Sequence, residues 1–239
     1  MRRAIPNLFT SANLVCGVFA IIASFNNEII TAIELIMLSL IFDFIDGLAA
    51  RALNAPSEFG KQLDSLADVI SFGVAPACIM FNFIKGMQGD VSPEIFSFEN
   101  IIQYSPVLIP LFAALRLAKF NIDENQKSSF SGLPSPAAGV FIISWPWIFY
   151  NSGSLAFLTE YTWFLALVCV VTSFMMVVPV EMFALKFKNT SWQDNKIRIV
   201  FLILSLGLLT LLFSSAVPII ILLYVFLSLM HIFNPSKTS

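Results

Sequence analysis

Charge is what this chain most conspicuously has little of. Only 12% of its 239 residues are Asp, Glu, Lys or Arg, about half of what a soluble domain of this length carries. There is one histidine, His231, and there are three cysteines, Cys16, Cys78 and Cys169, odd in number and far apart in apolar runs. That pattern excludes a disulfide framework and a Cys/His metal centre, and leaves the cysteines as small core residues and His231 as a bystander. No basic cluster suggests nucleic acid, and the net charge is −2. Met1, Arg2 and Arg3 lead into an apolar run without a cleavage site, so the first run is expected to stay as a helix. No linker or low-complexity segment divides the chain, which reads as a single domain over 1–239.

What is present is apolar surface: 58% hydrophobic residues and a mean hydropathy of +0.85. The runs are continuous rather than alternating, which points to membrane helices and away from a β-barrel. Eight spans are expected, at about 6–25, 29–52, 58–84, 104–122, 134–151, 157–181, 198–215 and 217–234. A tight turn from Ser214 to Pro218 makes the last two an antiparallel hairpin. The longest polar connection, Lys85 to Gln103, reads as a surface loop with a short interfacial helix. With eight spans, Arg2, Arg3, Arg51, Lys61, Lys119, Lys127, Lys186, Lys188, Lys196, Arg198 and Lys237 fall on one side, and Arg116 lies one turn from it. Only Lys85 falls on the other. The positive-inside rule then makes both termini cytoplasmic.

The charge that remains is concentrated. Residues 43–68 read DFIDGLAARALNAPSEFGKQLDSLAD and hold four aspartates at the facing ends of two apolar spans. A carboxylate at a membrane-helix centre costs roughly 2.5–3.5 kcal/mol, and less towards the ends. At 100° per residue, Asp43, Asp46, Gly47 and Ala50 fall within about 100° of one another, with Arg51 at the border. Ser57, Gly60, Asp64, Asp68 and Ser71 fall within about 80°. Two carboxylate faces lined by small residues are thus joined by a short turn, Asn54 to Pro56. Without a cation they would repel, and oxygen-only ligands suit Mg²⁺, Mn²⁺ or Ca²⁺ rather than zinc. Gly47, Ala50 and Gly60 leave room for a large ligand, for which a phosphate is the natural choice, with Arg51 as its fixed positive charge. Two ions would suit four aspartates. The alternatives are solvated helix ends and a cation transporter, whose carboxylates should lie nearer the midplane and on several spans.

The pattern D-x-x-D-G-x-x-A-R-(eight residues)-G-x-x-x-D-x-x-x-D is filled by Asp43, Asp46, Gly47, Ala50, Arg51, Gly60, Asp64 and Asp68. It resembles the signature of the CDP-alcohol phosphatidyltransferases. The resemblance implies an integral membrane enzyme with a six-helix core, here plus two helices, that displaces CMP from a CDP-linked lipid with an alcohol, using Mg²⁺ or Mn²⁺. Ile5–Gly17 (IPNLFTSANLVCG), Ala114–Asn121 (ALRLAKFN) and Phe130–Gly139 (FSGLPSPAAG) are similar to the bacterial phosphatidylserine synthase branch of that family. Lys119 departs from the arginine expected there. That branch implies CDP-diacylglycerol and L-serine as substrates, release of CMP, and a bacterial inner membrane with the site at its cytoplasmic face. Other acceptors within the family are glycerol 3-phosphate, inositol phosphate and choline, and homodimers are common in it.

The resemblance also implies roles. Asp43, Asp46 and Asp64 correspond to metal ligands, and Asp68 to a ligand and the general base. Gly47, Arg51 and Ser57 correspond to nucleotide- and diphosphate-binding positions, and Asn7 and Thr10 to polar positions that help hold the CDP group. The plainer readings are an N-cap for Ser57 and a solvated turn for Asn7. Arg116, inside an apolar span, is the first candidate for the serine carboxylate, with Asn121 and Ser135 behind it. Its alternatives are snorkelling to lipid phosphates or pairing with an aspartate.

Overall fold

The computed structural model describes residues 4–55, 57–88, 97–122, 130–182 and 192–233. Pro56, most of the Lys85–Gln103 connection, and Arg2, Arg3, Lys127, Lys186, Lys188 and Lys237 lie outside the described residues. So do the side chains of Lys196 and His231.

Each expected span is helical. Helix α1 is Ala4–Phe25 and α2 is Ile29–Ala52. Helix α3, Glu58–Asp68, runs through a π-helical segment, Val69–Val74, into α4, Ala75–Gln88. Helix α5, Phe98–Tyr104, continues through a 3₁₀ turn into α6, Leu108–Ile122, so this helix starts earlier than 104. Helix α7 is Ser135–Tyr150. The stretch expected as one helix over 157–181 is broken into α8, Ala156–Thr159, and α9, Thr162–Val177. Helix α10 is Trp192–Leu212 and α11 is Ala216–Phe233. Two-residue strands β1, Phe130–Ser131, and β2, Glu181–Met182, pair antiparallel.

Side chains explain the turns. Asn27 and Asn54 adopt φ of 63° and 48° after α1 and α2, a left-handed conformation that asparagine tolerates better than most residues. Phe213, with φ 40°, breaks the run between α10 and α11. Phe201 and Tyr224 then stack with ring centroids 5.9 Å apart. In one straight helix they would be about 34 Å apart, so the two helices form the expected antiparallel hairpin, turning at Phe213–Ser215.

Four described stretches are long and apolar enough to cross a membrane: Ala4–Phe25, Glu58–Gln88, Phe98–Ile122 and Arg198–Met230. The last is the hairpin just described. Helix α2 is long enough but carries Glu34, Asp43, Asp46 and Arg51, and α7 and α9 have 16 residues each. Large apolar side chains on the outside of the bundle, among them Leu8, Phe19, Phe44, Leu111, Leu206 and Leu211, are exposed. This inside-out distribution is that of a helical membrane protein.

The bundle packs in two connected clusters. One joins α1, α2, the π segment and α4 through Ala20, Ala23, Ala32, Ile33, Ile36, Phe72 and Ile79. The other joins α4, α6, α7, α9 and α11 through Met80, Ile109, Ile142, Trp145, Leu165, Met176 and Val225. Small residues permit the close approaches. A Cβ on Gly17 would strike Ser71 Oγ and come within 2.9 Å of Ser71 Cα. A Cβ on Gly139 would lie 2.9 Å from the Phe72 carbonyl oxygen. Buried hydroxyls cross-link the helices. Ser71 Oγ donates to the Asn13 carbonyl at 3.1 Å, Ser39 Oγ to Asn13, and Asn82 Nδ2 to Ser24 Oγ at 2.8 Å. The FSGLP segment docks on the end of α9. Gly132 N donates to Val180 O and Leu133 N to Met175 O, both at 2.9 Å, and Gly132 has φ 79° with the Met176 carbonyl against it. Only glycine fits there.

Gly17→Val should therefore cost about 1–3 kcal/mol through overpacking, seen as a lower unfolding midpoint in detergent. Gly86, with nothing within 4 Å of an added Cβ, provides the contrast. Gly86→Ala should raise the midpoint, by roughly 0.5–1 kcal/mol of helix propensity.

Candidate active site

Helices α2 and α3 meet at the Asn54 turn, so the C-terminal end of one and the start of the other lie side by side. Ser57 caps α3, its Oγ accepting from Gly60 N at 3.0 Å. The cap sets the phase at which Asp64 and Asp68 leave the helix. The result is a cluster in which carboxylate oxygens of Asp43, Asp64 and Asp68 lie within 4.8 Å of one another. Carboxylates this close repel unless a proton or a cation lies between them. Asp68 is buried, and its Oδ1 has no hydrogen-bond partner.

Asp46 stands slightly apart. It is within electrostatic reach of Asp43 and Asp64, but its Oδ2 accepts a 2.7 Å hydrogen bond from Thr10 Oγ1 on α1. Thr10 is buried and also donates to Pro6 O at 3.2 Å. Thr10 thus meets a carboxylate directly. Asn7, one turn earlier, lies against Gly60 and Ser57: a Cβ on Gly60 would be 2.9 Å from Asn7 Oδ1 and 3.0 Å from Ser57 Oγ. The N-terminal end of α1 therefore belongs to the site, and Asn7 is no detached solvated turn. Arg51 folds back over Gly47, its Nη1 3.6 Å from where a Cβ would be, and so borders the same opening. Ala50, half-buried, accepts the Ala55 N–H through its carbonyl at 3.0 Å and holds the turn.

Arg116 is buried and reaches inward. Its Nη1 donates to Ser135 Oγ at 2.9 Å, and it lies within electrostatic reach of Asp68. Ser135 is fully buried at the start of α7. Snorkelling outward is thereby excluded for Arg116. Asn121 donates through Nδ2 to Ser65 Oγ at 2.9 Å and accepts from Lys61 Nζ through its backbone carbonyl at 3.2 Å, while its Oδ1 is buried without a partner. It fastens α6 to the flank of α3 beside the carboxylates. Sequence reasoning missed the π segment directly after Asp68, for which no residue pattern is a reliable signal.

Three carboxylates this close, one with an orphaned oxygen, fit a hard divalent cation. Among the described residues no nitrogen or sulfur donor belongs to the cluster, which disfavours zinc. A carboxylate cluster with Gly47 and Gly60 beside it and Arg51 at its border could hold a cation together with a phosphate-bearing ligand.

Comparison with known proteins agrees. The sequence profile of the CDP-alcohol phosphatidyltransferase family matches residues 3–159, and the chain belongs to that family. A Helicobacter pylori CDP-diacylglycerol--serine O-phosphatidyltransferase is 39% identical over 140 residues, covering 58% of this chain and 55% of that relative. The Bacillus subtilis protein of the same name is 34% identical over 139 residues, 58% of this chain and 73% of its own length. An archaetidylserine synthase of Methanothermobacter thermautotrophicus is 35% identical over 158 residues, 65% of this chain and 63% of that relative. The chain spans between about half and three-quarters of the length of these relatives.

The cluster has a thermal signature. In EDTA, Asp43→Asn should raise the unfolding midpoint, because one of three mutually repelling carboxylates is gone. Mn²⁺ should raise the midpoint of the unaltered protein, by about 2.7 kcal/mol at a hundredfold excess over Kd, and raise that of the variant far less. Equal Mn²⁺ shifts in the two would remove these aspartates as a cation site.

Proposed function

We propose that this protein transfers the phosphatidyl group of CDP-diacylglycerol to the hydroxyl of L-serine and releases CMP. The observation that carries the reading is the convergence of Asp43, Asp64 and Asp68 within 4.8 Å, in a family member whose curated relatives are named for that reaction. The described helices run to and fro between two ends. Thr10–Asp46, Asn121–Ser65 and Leu133–Met175 contacts mark one end, and Gln88–Thr162 and Leu155–Ser215 contacts mark the other. Eight crossings of a bacterial inner membrane, with both termini and the aspartate end cytoplasmic, match this alternation and the charge bias. The acyl chains then stay in lipid while the diphosphate reaches the aspartates.

Asp43, Asp64 and Asp68 would hold Mg²⁺ or Mn²⁺, with Asp46 completing a second position if two ions bind. When bound, the metal supplies positive charge that neutralises the diphosphate and the departing CMP. The remaining tasks fall to side chains. Gly47, Ala50 and Gly60 leave room for the substrate backbone, and Arg51, Ser57, Asn7 and Thr10 orient the CDP group. Asp68 accepts the serine hydroxyl proton, and its partnerless Oδ1 is the atom free to do so. The serine oxygen attacks the phosphorus attached to diacylglycerol, the bond from that phosphorus to the CMP oxygen breaks, and phosphatidylserine forms. Arg116 takes the serine carboxylate. A cation pathway would need carboxylates spread along the spans, whereas Asp43, Asp46, Asp64 and Asp68 gather at one end.

Purified protein with Mg²⁺ or Mn²⁺ should release CMP from CDP-diacylglycerol only when an acceptor is added, and fastest with serine. A faster rate with glycerol 3-phosphate, inositol phosphate or choline would keep the reaction type and replace the acceptor. Asp68→Asn should lower kcat by about 10²–10⁴, the usual contribution of a general base. Near-normal turnover by that variant would remove Asp68 from the role.

A further inference from the structure

The segment Ile5–Gly17 does more than supply Asn7 and Thr10. At 100° per residue, Thr10, Asn13 and Gly17 fall within about 60° of one another on α1. That stripe touches both helices that bear the acids: Thr10 bonds Asp46 of α2, and Gly17 meets Ser71 of the π segment that continues α3. Helix α1 packs against α2 and against α3 more extensively than those two helices pack against each other. The spacing between Asp43 on α2 and Asp68 on α3 is therefore set through α1.

Asn13 is the node. It is fully buried, and its backbone carbonyl accepts from Ser39 Oγ of α2 and from Ser71 Oγ of the π segment, each at 3.1 Å. Ser39 Oγ also reaches Asn13 Oδ1, so the asparagine grips that hydroxyl with backbone and side chain together. Ser39 stands one helical turn before Asp43, and Ser71 follows Asp68 after the first residues of the π segment. Both ties are made next to the acids along their own helices, where slack in either would pass directly to a carboxylate. Ser39 and Ser71 are fully buried, which shields both bonds from competing water. Asn13 Nδ2 is buried with no partner. An unpartnered buried donor lowers stability, so stability alone is a poor reason for an amide there.

We propose that Ser39 and Ser71 are positioning residues: by gripping Asn13 from two helices, they set the spacing of Asp43 and Asp68 for a divalent cation. This rests on the reading of the aspartates as a cation site. Without a cation the carboxylates repel, and the node resists their separation. Oxygens already at ligand spacing then take up the cation without first closing a gap.

The test uses the full chain in nanodiscs. Mn²⁺ binding is read from the electron paramagnetic resonance of the free ion, and unfolding midpoints are read in EDTA and in Mn²⁺. Ser71→Ala and Ser39→Ala each remove one hydroxyl. Each should raise the Mn²⁺ Kd about tenfold, the lower end of what groups that orient metal ligands contribute. Their midpoints should fall further in Mn²⁺ than in EDTA, because a weaker-binding ion stabilises the fold less. Ser24→Ala, which removes the Asn82 bond at the other end of α1, should lower the midpoint equally in both and leave the Kd unchanged. Excess Mn²⁺ should restore CMP release by the two node variants. An unchanged Kd in both node variants, or the same rise in Ser24→Ala, would overturn the inference and leave the cation site intact. An unaltered protein that binds no Mn²⁺ would overturn both. The expected Kd shifts without any CMP release in the presence of serine would support the node and overturn the transfer reading alone.

Discussion

Electrostatic crowding of carboxylates at the junction of α2 and α3 is the constraint around which this protein is built. Asp43, Asp64 and Asp68 are held within 4.8 Å of one another, and Asp68 is nearly out of contact with solvent. Like charges at such distances in a poorly screened interior repel by several kcal/mol. Packing must hold the two helix ends together against that repulsion. Helix α1 contributes much of the clamp, with Thr10 bonded to Asp46, Asn7 against Gly60, and Gly17 permitting backbone contact at Ser71.

The π segment serves the same end. An α-helix continuing beyond Asp68 would keep the carboxylate phase, whereas one wider turn rotates the residues after it. Ser71 then meets the Asn13 carbonyl of α1, Gly73 faces Pro110 and Ala113 of α6, and Phe72 lies under Gly139 of α7. One helix thus presents acids at its start and a close-packed surface on three sides immediately afterwards. The buried polar ties at Asn13, Ser39 and Ser71 matter more here than in a soluble protein. Between helices in lipid there is little hydrophobic force, and association depends on close packing and on hydrogen bonds worth about 0.6 kcal/mol each on average.

Much of the site was legible because its logic is local. The spacing of Asp43, Asp46, Gly47 and Ala50, and of Gly60, Asp64 and Asp68, is helical geometry, and the structure retains it with Ser57 as the cap. The inward reach of Arg116 follows from the cost of exposing a guanidinium to lipid. Contacts across long sequence separation were not legible. Thr10 to Asp46 spans 36 positions and Arg116 to Ser135 spans 19. Asn121 to Ser65 spans 56. The break at Thr159–Tyr161 was hidden too, because hydropathy continues across it.

Composition and periodicity establish that this is a helical membrane protein, that its charge is concentrated at one helix junction, and which carboxylates share a face. Those properties follow from transfer energies and from a 100° rotation per residue, which need no knowledge of neighbours. Which three aspartates converge, that Asp46 is tied to Thr10, and that Arg116 is bonded to Ser135 depend on the tertiary structure. Each of these depends on how helices distant in sequence are rotated and offset against one another. That is set by steric fit at Gly17, Gly73 and Gly139 and by the phase shift of the π turn, and neither leaves a periodic trace along the chain.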